Sequence, residues 1–178
     1  MTSATPSGLC FCIPVFNDWE AVQLLLRQLD EVALRIQEPV SVLLVDDGST
    51  EPVPSALAFQ PRALRRVQVL PLRRNLRHQR AIAIGLTYLY AEHPARAVVV
   101  MDADGEDAPA DVLKLLDELA RHDARKAVFA QRDRRSEGLG FRAAYQAYKL
   151  VHRVLTGRRV EVGNFSVMPW ELLGRLVV

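Results

Sequence analysis

Continuous apolar runs are the most regular feature of this chain. Such runs predict β-strands buried on both faces, because a strand with one solvated face alternates apolar and polar residues. Pro14 closes the first run, and the stretch DDGST follows the second, as expected at strand ends. Six strands are predicted, the last one short: Leu9–Val15, Val40–Val45, Val67–Leu72, Ala97–Met101, Ala127–Ala130 and Val162–Met168.

Apolar residues at helical spacing occupy most of the segments between these strands. Val22, Leu25 and Leu29 mark one such face, and Asn17 or Asp18 is expected to cap the helix that carries them. Helices are predicted over Trp19–Ile36, Gln79–Glu92, Ala110–His122 and Gly140–Leu155, with another opening at Pro169. Strands alternating with helices indicate an α/β fold, in which a mostly parallel sheet is flanked by helices on both faces.

Composition narrows the class of protein without identifying it. The chain has 178 residues, of which 49% are hydrophobic and 25% charged, and we expect one globular domain spanning 1–178. No apolar run approaches the roughly 18 residues of a membrane span, and the first residues lack the pattern of a secretory signal. Cys10 and Cys12 are expected to be buried thiols in a cytoplasmic protein. A net charge of +2 gives no reason to expect a nucleic-acid partner.

Four polar clusters follow predicted strands, and together they indicate a binding site. Ligands of parallel α/β sheets lie beyond the carboxyl ends of the strands. The clusters FND, DDGST, RRNLRHQ and DADGED follow the first, second, third and fourth strands. We therefore expect all four to converge on one edge of the sheet.

The DADGED cluster predicts a metal site. Asp102 and Asp104 lie two residues apart at a strand end, so both carboxylates can face one point. Two such hard oxygen ligands suit Mg²⁺ or Mn²⁺, which commonly bind one or two carboxylates together with substrate phosphates. The alternative is a solvated acidic loop before the next helix, where Asp107 and Pro109 resemble helix-start residues. Glu106 receives no role.

The DDGST cluster has two interpretations. Asp46 and Asp47 can bond nearby backbone N–H groups in an ordinary turn. Alternatively, one carboxylate accepts a hydrogen bond from a ribose hydroxyl or a base N–H of a bound nucleoside.

Basic residues gather at the start of a predicted helix, where cations alone are unfavourable, and they have two interpretations: a bound anion or a solvated basic face. They surround Asn75 and comprise Arg73, Arg74, Arg77, His78 and Arg80. A second group, Arg132, Arg134 and Arg135, follows the fifth strand. With the metal pair and the nucleoside site, these clusters describe a nucleoside diphosphate bound through a divalent cation.

At this point the sequence resembles the family 2 glycosyltransferases of the GT-A fold, especially the dolichyl- or polyprenyl-phosphate sugar synthases. The resemblance runs in order through IPVFND, VLLVDDGST, RRNLRHQRAIAIGL, VVVMDADGEDAP, AQRDRRS and VGNFSVM. It implies a metal-dependent enzyme that transfers a sugar, with inversion, from a UDP- or GDP-linked donor to a lipid phosphate or other hydroxyl acceptor.

The resemblance also implies roles for individual residues. The nucleotide pocket would be formed by Pro14, Phe16, Asn17, Asp18, Asp46, Asp47, Asn75 and Asp102. Asp102 and Asp104 would form the DXD metal pair, with Asp104 also catalytic. Arg132 and Arg135 match loop arginines that handle phosphate, and Glu161 or Asn164 falls at the acceptor or base position.

Three departures from the family pattern stand out. Arg77 replaces a usual glycine, and Gly105-Glu106 replace a usual Leu-Gln pair. The motif Asp-x-Gly-Asp-Phe-Arg is Glu161 to Ser166 here, which lacks the arginine. The chain also ends soon after this motif, so we expect a catalytic domain that is incomplete at its C-terminal end.

Other functions remain open. The Tyr- and Arg-rich segment Gly140–Leu155 would suit either peripheral contact with the cytoplasmic face of a membrane or an ordinary half-buried helix. A non-catalytic nucleotide-sugar-binding scaffold is the main alternative. A sugar-phosphate nucleotidyltransferase would need a Gly-rich basic loop after the first strand, where IPVFNDWE has none. A phosphoacceptor signalling domain would need its acidic pair after the first strand.

Overall fold

A computed structural model describes residues 7–54, 57, 60–122, 125–131 and 162–177, which form six strands and four helices. The strands are β1 (Leu9–Val15), β2 (Val40–Asp46), β3 (Leu64–Pro71), β4 (Ala97–Val100), β5 (Val128–Gln131) and β6 (Val162–Pro169). The helices are α1 (Trp19–Ala33), α2 (His78–Glu92), α3 (Asp111–Arg121) and α4 (Trp170–Leu176).

The strands form one sheet in the order β3-β2-β1-β4-β6-β5. The pairs β1–β2, β2–β3 and β1–β4 are parallel, whereas β6 runs antiparallel to β4. The predicted α/β class with a mostly parallel sheet is thus confirmed. The apolar pattern did not predict that β6 runs antiparallel to its neighbour.

Helices cover both faces of the sheet. α2 packs against β1 and β2, and the residues facing it include Cys10, Cys12, Leu43 and Val45. The alternate strand positions, including Phe11, Ile13, Val42 and Leu44, point the other way and are equally buried. A Cβ on Gly85 of α2 would lie 2.6 Å from Cys12 Sγ and from Val45 Cγ2, so this glycine lets the helix lie close on the sheet.

The two cysteines are buried free thiols, as predicted. Burial raises the pKa of Cys10 to about 11, although Arg66 opposes the shift. Burial raises the pKa of Cys12 to about 12, with a further contribution from Cys10. Both thiols are therefore protonated at neutral pH and act as small apolar core residues.

The third strand begins at Leu64, three residues before the predicted start at Val67. Asp30 of α1 explains the early start, because its carboxylate accepts the backbone N–H groups of Arg62, Ala63 and Leu64. β3 lies at the sheet edge and is only half-buried, so it starts with polar residues after Leu64. The search for continuous apolar runs therefore missed the first residues of this strand.

The first predicted helix also differs from the structure in two ways. α1 ends at Ala33, before the predicted end at Ile36. The predicted capping role of Asn17 or Asp18 is wrong: Asp18 occupies the N-cap position but makes no side-chain capping bond. The side chain of Asn17 instead bonds a neighbouring loop, as described below.

Two compact units divide the chain, one comprising 1–129 with 164–178 and the other Ala130–Gly163. Most of the second unit lies outside the described residues, and the features discussed below belong to the first. A single domain over 1–178 stays a prediction. Within the described ranges, no helix is both long and apolar enough to cross a membrane.

Candidate active site

A cleft of about 350 Å³ opens at the carboxyl ends of β1 and β4. Seven of the residues predicted from the sequence line it, together with Val15 and Ala103. The seven are Pro14, Phe16, Asp18, Asp102 and Asp104, with His78 of the basic cluster and Asn164 of the last motif. The cleft therefore lies at the sheet edge where the strand-end clusters were expected to meet.

Asp102 lies at the inner end of this cleft, just after the buried strand β4. Its side chain is 15% exposed, and its backbone N–H donates to Asp107 Oδ2 at 2.9 Å. Asn164 Nδ2 donates a long hydrogen bond of 3.4 Å to Asp102 Oδ2. Asp102 is thus fixed by contacts from its own loop and from β6.

The other oxygen of Asp102 is left without a hydrogen bond. His78 Nε2 lies 3.1 Å from Asp102 Oδ1, but this buried oxygen has no hydrogen-bond partner among the described residues. The neighbouring amide accounts for this, because Asn164 Nδ2 lies 2.7 Å from the same His78 nitrogen. An amide nitrogen can only donate, so in the neutral ring the imidazole nitrogen that accepts from Asn164 carries no proton for Asp102.

Gln79 supports this orientation of the amide. Its Nε2 donates to Asn164 Oδ1 at 2.8 Å, which leaves Asn164 Nδ2 directed at His78. A buried carboxylate oxygen without a proton donor is energetically unfavourable unless a cation satisfies it. The arrangement at Asp102 can therefore bind a cation.

Asp104 is exposed on the same loop. Its Oδ1 accepts the backbone N–H of Glu106 at 2.9 Å. Asp107, predicted as a helix-start residue, precedes the N-cap residue Ala110 of α3, and its carboxylate closes this loop onto Asp102. The two acids of the predicted metal pair consequently belong to one short hydrogen-bonded loop.

The DDGST turn is packed against the basic loop that follows β3. Asp46 Oδ1 accepts the N–H of Ser49 at 2.9 Å, as expected for an ordinary turn. Asp47 is 3% exposed, and its Oδ1 accepts the N–H of Leu76 at 2.7 Å. Gly48 has a φ of +72°, and a Cβ there would lie 2.4 Å from the carbonyl carbon of Arg74. Only glycine fits this close approach.

Asn17 connects the loop after β1 to the loop after β2. It has a φ of 58°, and its Oδ1 accepts the N–H groups of Thr50 at 2.8 Å and Glu51 at 3.2 Å. Its own N–H donates to Ser49 Oγ at 3.0 Å. The side chain of Phe16 is 48% exposed beside these contacts and lines the cleft. The loops predicted to hold a nucleotide therefore form one bonded unit.

The basic loop leaves several guanidinium groups available for a ligand. Arg73, Arg74, Arg77 and Arg80 are exposed and form no ion pair within the described part of the chain. Arg77, which replaces a glycine of the family pattern, has a positive φ of 73°. Asn75 Oδ1 accepts the N–H of Arg77 at 3.0 Å, so Asn75 shapes this loop rather than lining the cleft.

Some predicted residues lie outside the described ranges. They are Arg132, Arg135, Glu161 and the segment Gly140–Leu155, and their roles stay predictions. In contrast, the contact of His78 with Asn164 was not predicted. Finding it would have required knowing that β6 returns beside β4, which no spacing in the sequence indicates.

A family model and curated relatives both match this chain. A model of glycosyl transferase family 2 matches residues 10–171. The bactoprenol glucosyl transferase of Shigella phage SfX is 29% identical over 166 residues, covering 90% of this chain and 52% of that protein. The chain spans about half the length of the curated relatives it matches.

Solved structures also share the fold. Mannosyl-3-phosphoglycerate synthase from Rubrobacter xylanophilus aligns with a TM-score of 0.67 at 16% identity, covering 94% of this chain and 54% of that one. The mannosyltransferase PcManGT from Pyrobaculum calidifontis, solved with GDP-Man and Mn²⁺, aligns with a TM-score of 0.58 at 19% identity, covering 98% and 47%. These likenesses confirm the predicted GT-A fold.

Proposed function

We propose that this chain, which belongs to glycosyl transferase family 2, transfers a sugar from a nucleotide-sugar donor to a lipid phosphate with the help of a divalent cation. The observation that carries the proposal is the buried Asp102 Oδ1, which has no hydrogen-bond partner among the described residues and belongs to the same cleft as Asp104. Family membership supplies the reaction class, and the cleft supplies the groups to perform it.

The residues present fit Mg²⁺ or Mn²⁺. Asp102 and Asp104 would hold the ion, and both offer the hard carboxylate oxygens that these metals prefer. Such ions commonly bind one or two carboxylates and complete their coordination with substrate phosphates. When bound, such an ion neutralises negative charge on the diphosphate. PcManGT, which shares this fold, was solved with Mn²⁺.

The nucleotide would lie against the bonded loops beside the cleft. Asp46 and Asp47 anchor these loops and each retains a second carboxylate oxygen, while Phe16 offers an exposed ring for stacking on a base or sugar. Arg73 and Arg77 would complement the charge of the diphosphate, since neither forms an ion pair within the described ranges.

Asn164 would act as a positioning residue rather than as a base. An amide cannot take up a proton at neutral pH, and this one contacts both His78 and Asp102. These contacts hold Asp102 in one orientation and keep a proton donor away from its Oδ1. The amide thus preserves the oxygen on which the proposal depends.

We infer a lipid-phosphate acceptor because a relative from Serratia proteamaculans is named an undecaprenyl-phosphate 4-deoxy-4-formamido-L-arabinose transferase. An acceptor phosphate oxygen would attack the anomeric carbon, and the bond to the nucleotide would break with its electron pair leaving on the diphosphate. A phosphate is already nucleophilic and needs little base assistance, whereas a hydroxyl acceptor would require a carboxylate such as Glu161. Arg132 and Arg135 remain the sequence-based candidates for the acceptor phosphate. Because such acceptors reside in membranes, the protein would work at the cytoplasmic face.

A transfer assay tests this proposal. Release of nucleoside diphosphate from UDP-glucose and from GDP-mannose is followed with Mn²⁺ and a polyprenyl phosphate in detergent. We expect Asp104→Ala to lower the rate about 100-fold or more, as losses of electrostatic stabilisation do. Asp111→Ala is the matched control, because the one ion pair of this α3 acid within the described ranges is with the exposed Lys114. Equal rates in wild type and Asp104→Ala would contradict the proposal, and donor binding without transfer would indicate a scaffold.

A further inference from the structure

A second cavity, of about 370 Å³, lies at the amino-terminal ends of the strands. The cleft of about 350 Å³ that contains Asp102, called the donor cleft below, lies at their carboxyl ends. The amino-terminal parts of β1, β2 and β3 and the carboxyl end of α2 surround it. Its apolar wall includes Leu9, Leu43 and Leu89. Its polar groups include Arg65, Arg66 and His93, none of which the proposed transfer reaction uses.

A bulge in β3 explains how two consecutive arginines reach one cavity. Val40 of β2 pairs with Leu64, but the next residue, Ser41, pairs with Arg66, so Arg65 is the extra residue on the edge strand. Neighbouring residues of a regular strand point to opposite faces, whereas a bulge redirects a side chain.

His93 presents a hydrogen-bond donor without an acceptor. Its Nδ1 lies 3.4 Å from Nη1 of Arg66, and since a guanidinium can only donate, Nδ1 is the accepting nitrogen. The proton of the neutral ring is therefore on Nε2, which is buried and has no hydrogen-bond partner among the described residues. Burial lowers the pKa of His93, Arg66 lowers it further and Glu92 partly opposes both, so the neutral form prevails at neutral pH.

The charge of the cavity favours an anion. Arg65 and Arg66 form no salt bridge within the described ranges, so two full positive charges face the cavity. Glu92 is the single acid among the lining residues. The carboxyl end of α2 adds about half a negative charge, partly offset because the N–H of His93 bonds the carbonyl of Leu89. The two guanidinium groups outweigh these opposing charges.

We propose that this cavity binds a small oxyanion, a carboxylate or phosphate group, through Arg65, Arg66 and the Nε2–H group of His93. Paired guanidinium and N–H donors are the groups that recognise such oxygens. The leucines in the wall leave room for a short apolar part of the same ligand. The site is independent of the donor cleft, and it would exist whether or not the chain transfers sugars.

Histidine NMR tests the proposal, because the two sites each contain one histidine. The chain has four histidines, so the ring resonance of His93 reports on this cavity while that of His78 reports on the donor cleft. Sodium phosphate and sodium propionate are titrated separately, with sodium chloride at equal ionic strength as the reference. We expect at least one of the two anions to shift the His93 signal saturably, and their comparison separates a phosphate site from a carboxylate site.

Two variants and a control complete the experiment. Arg66→Ala and Arg65→Ala should each weaken the binding seen at His93 about tenfold or more, since each removes a charge-assisted contact. Arg35→Ala, at an exposed arginine just beyond α1, should bind as the wild type does. The proposal is overturned if the shift of His93 is unsaturable or equal to that in chloride. Unchanged binding in both Arg66→Ala and Arg65→Ala overturns it as well.

Discussion

Two aspartates near opposite ends of the strands, one buried and one largely buried, show how the same side chain can bond its own chain in one place and stay available for a ligand in another. Asp30 is 4% exposed and accepts three backbone N–H groups, at 2.8 to 2.9 Å, from the segment that leads into β3. Asp102 has a comparable position at the end of β4, yet its Oδ1 lacks any hydrogen bond within the described ranges. A carboxylate that its own chain satisfies holds the fold together, whereas a buried oxygen that is left unsatisfied is available to a ligand.

The pKa of Asp30 reflects this structural role. Burial alone would raise it, but the N–H groups of Arg62, Ala63 and Leu64, with the charge of Arg62, hold the pKa below its usual value. Because the folded-state pKa is lowered, the stabilisation is present above the unfolded-state value near 3.8 and is lost as the pH falls through the folded-state value. Asp30 therefore stabilises the fold throughout the neutral range.

Replacing Asp30 gives the largest expected effect on stability. Asp30→Ala leaves three backbone N–H groups without their acceptor, and we expect the free energy of unfolding to fall by about 2–4 kcal/mol. Urea denaturation followed by circular dichroism measures this loss. Glu31→Ala is the control, because this exposed neighbour pairs with the same Arg62 and should cost less than about 1 kcal/mol. Equal losses in the two variants would show that Asp30 stabilises the fold no more than its exposed neighbour does.

Replacing Asn164 gives a smaller effect, and on metal binding rather than stability. Asn164→Ala removes the donor that holds Asp102 and His78, so the dissociation constant for Mn²⁺ in the presence of UDP should rise about tenfold. Electron paramagnetic resonance of free Mn²⁺ measures it. Thr87→Ala, on the exposed face of α2, should leave the constant unchanged. Metal binding that is insensitive to Asn164→Ala would show that Asp102 needs no support from β6.

The sequence predicted the strands and the cleft but not the contacts of Asp30 and Asn164. Continuous apolar runs located the strands, and the polar clusters after them located the cleft, because both follow from local pattern and from the parallel arrangement. The roles of Asp30 and Asn164 depend on tertiary contacts instead. Asp30 looks like any acid on a helix, and only the packing of α1 beside β3 turns it toward Leu64.

The same limit explains the contacts at the cleft. His78 was one of several basic residues in the sequence, and it became distinct only when the antiparallel β6 brought Asn164 within 2.7 Å. The capping role expected of Asn17 failed for a related reason, since the loop after β2 offered its side chain better-placed N–H groups. Local sequence patterns thus identified the polar residues of the site, whereas contacts between distant parts of the chain determine which groups each residue bonds.

The central claim is that the unsatisfied oxygen of Asp102 binds a divalent cation. Mn²⁺ binding measured by electron paramagnetic resonance, with UDP or GDP present, tests it in wild type, Asp102→Ala and Asp30→Asn at a temperature where all three are folded. We predict one Mn²⁺ bound by wild type and by Asp30→Asn with the same affinity, and binding at least about tenfold weaker in Asp102→Ala. Equal Mn²⁺ affinity in wild type and Asp102→Ala would contradict the claim.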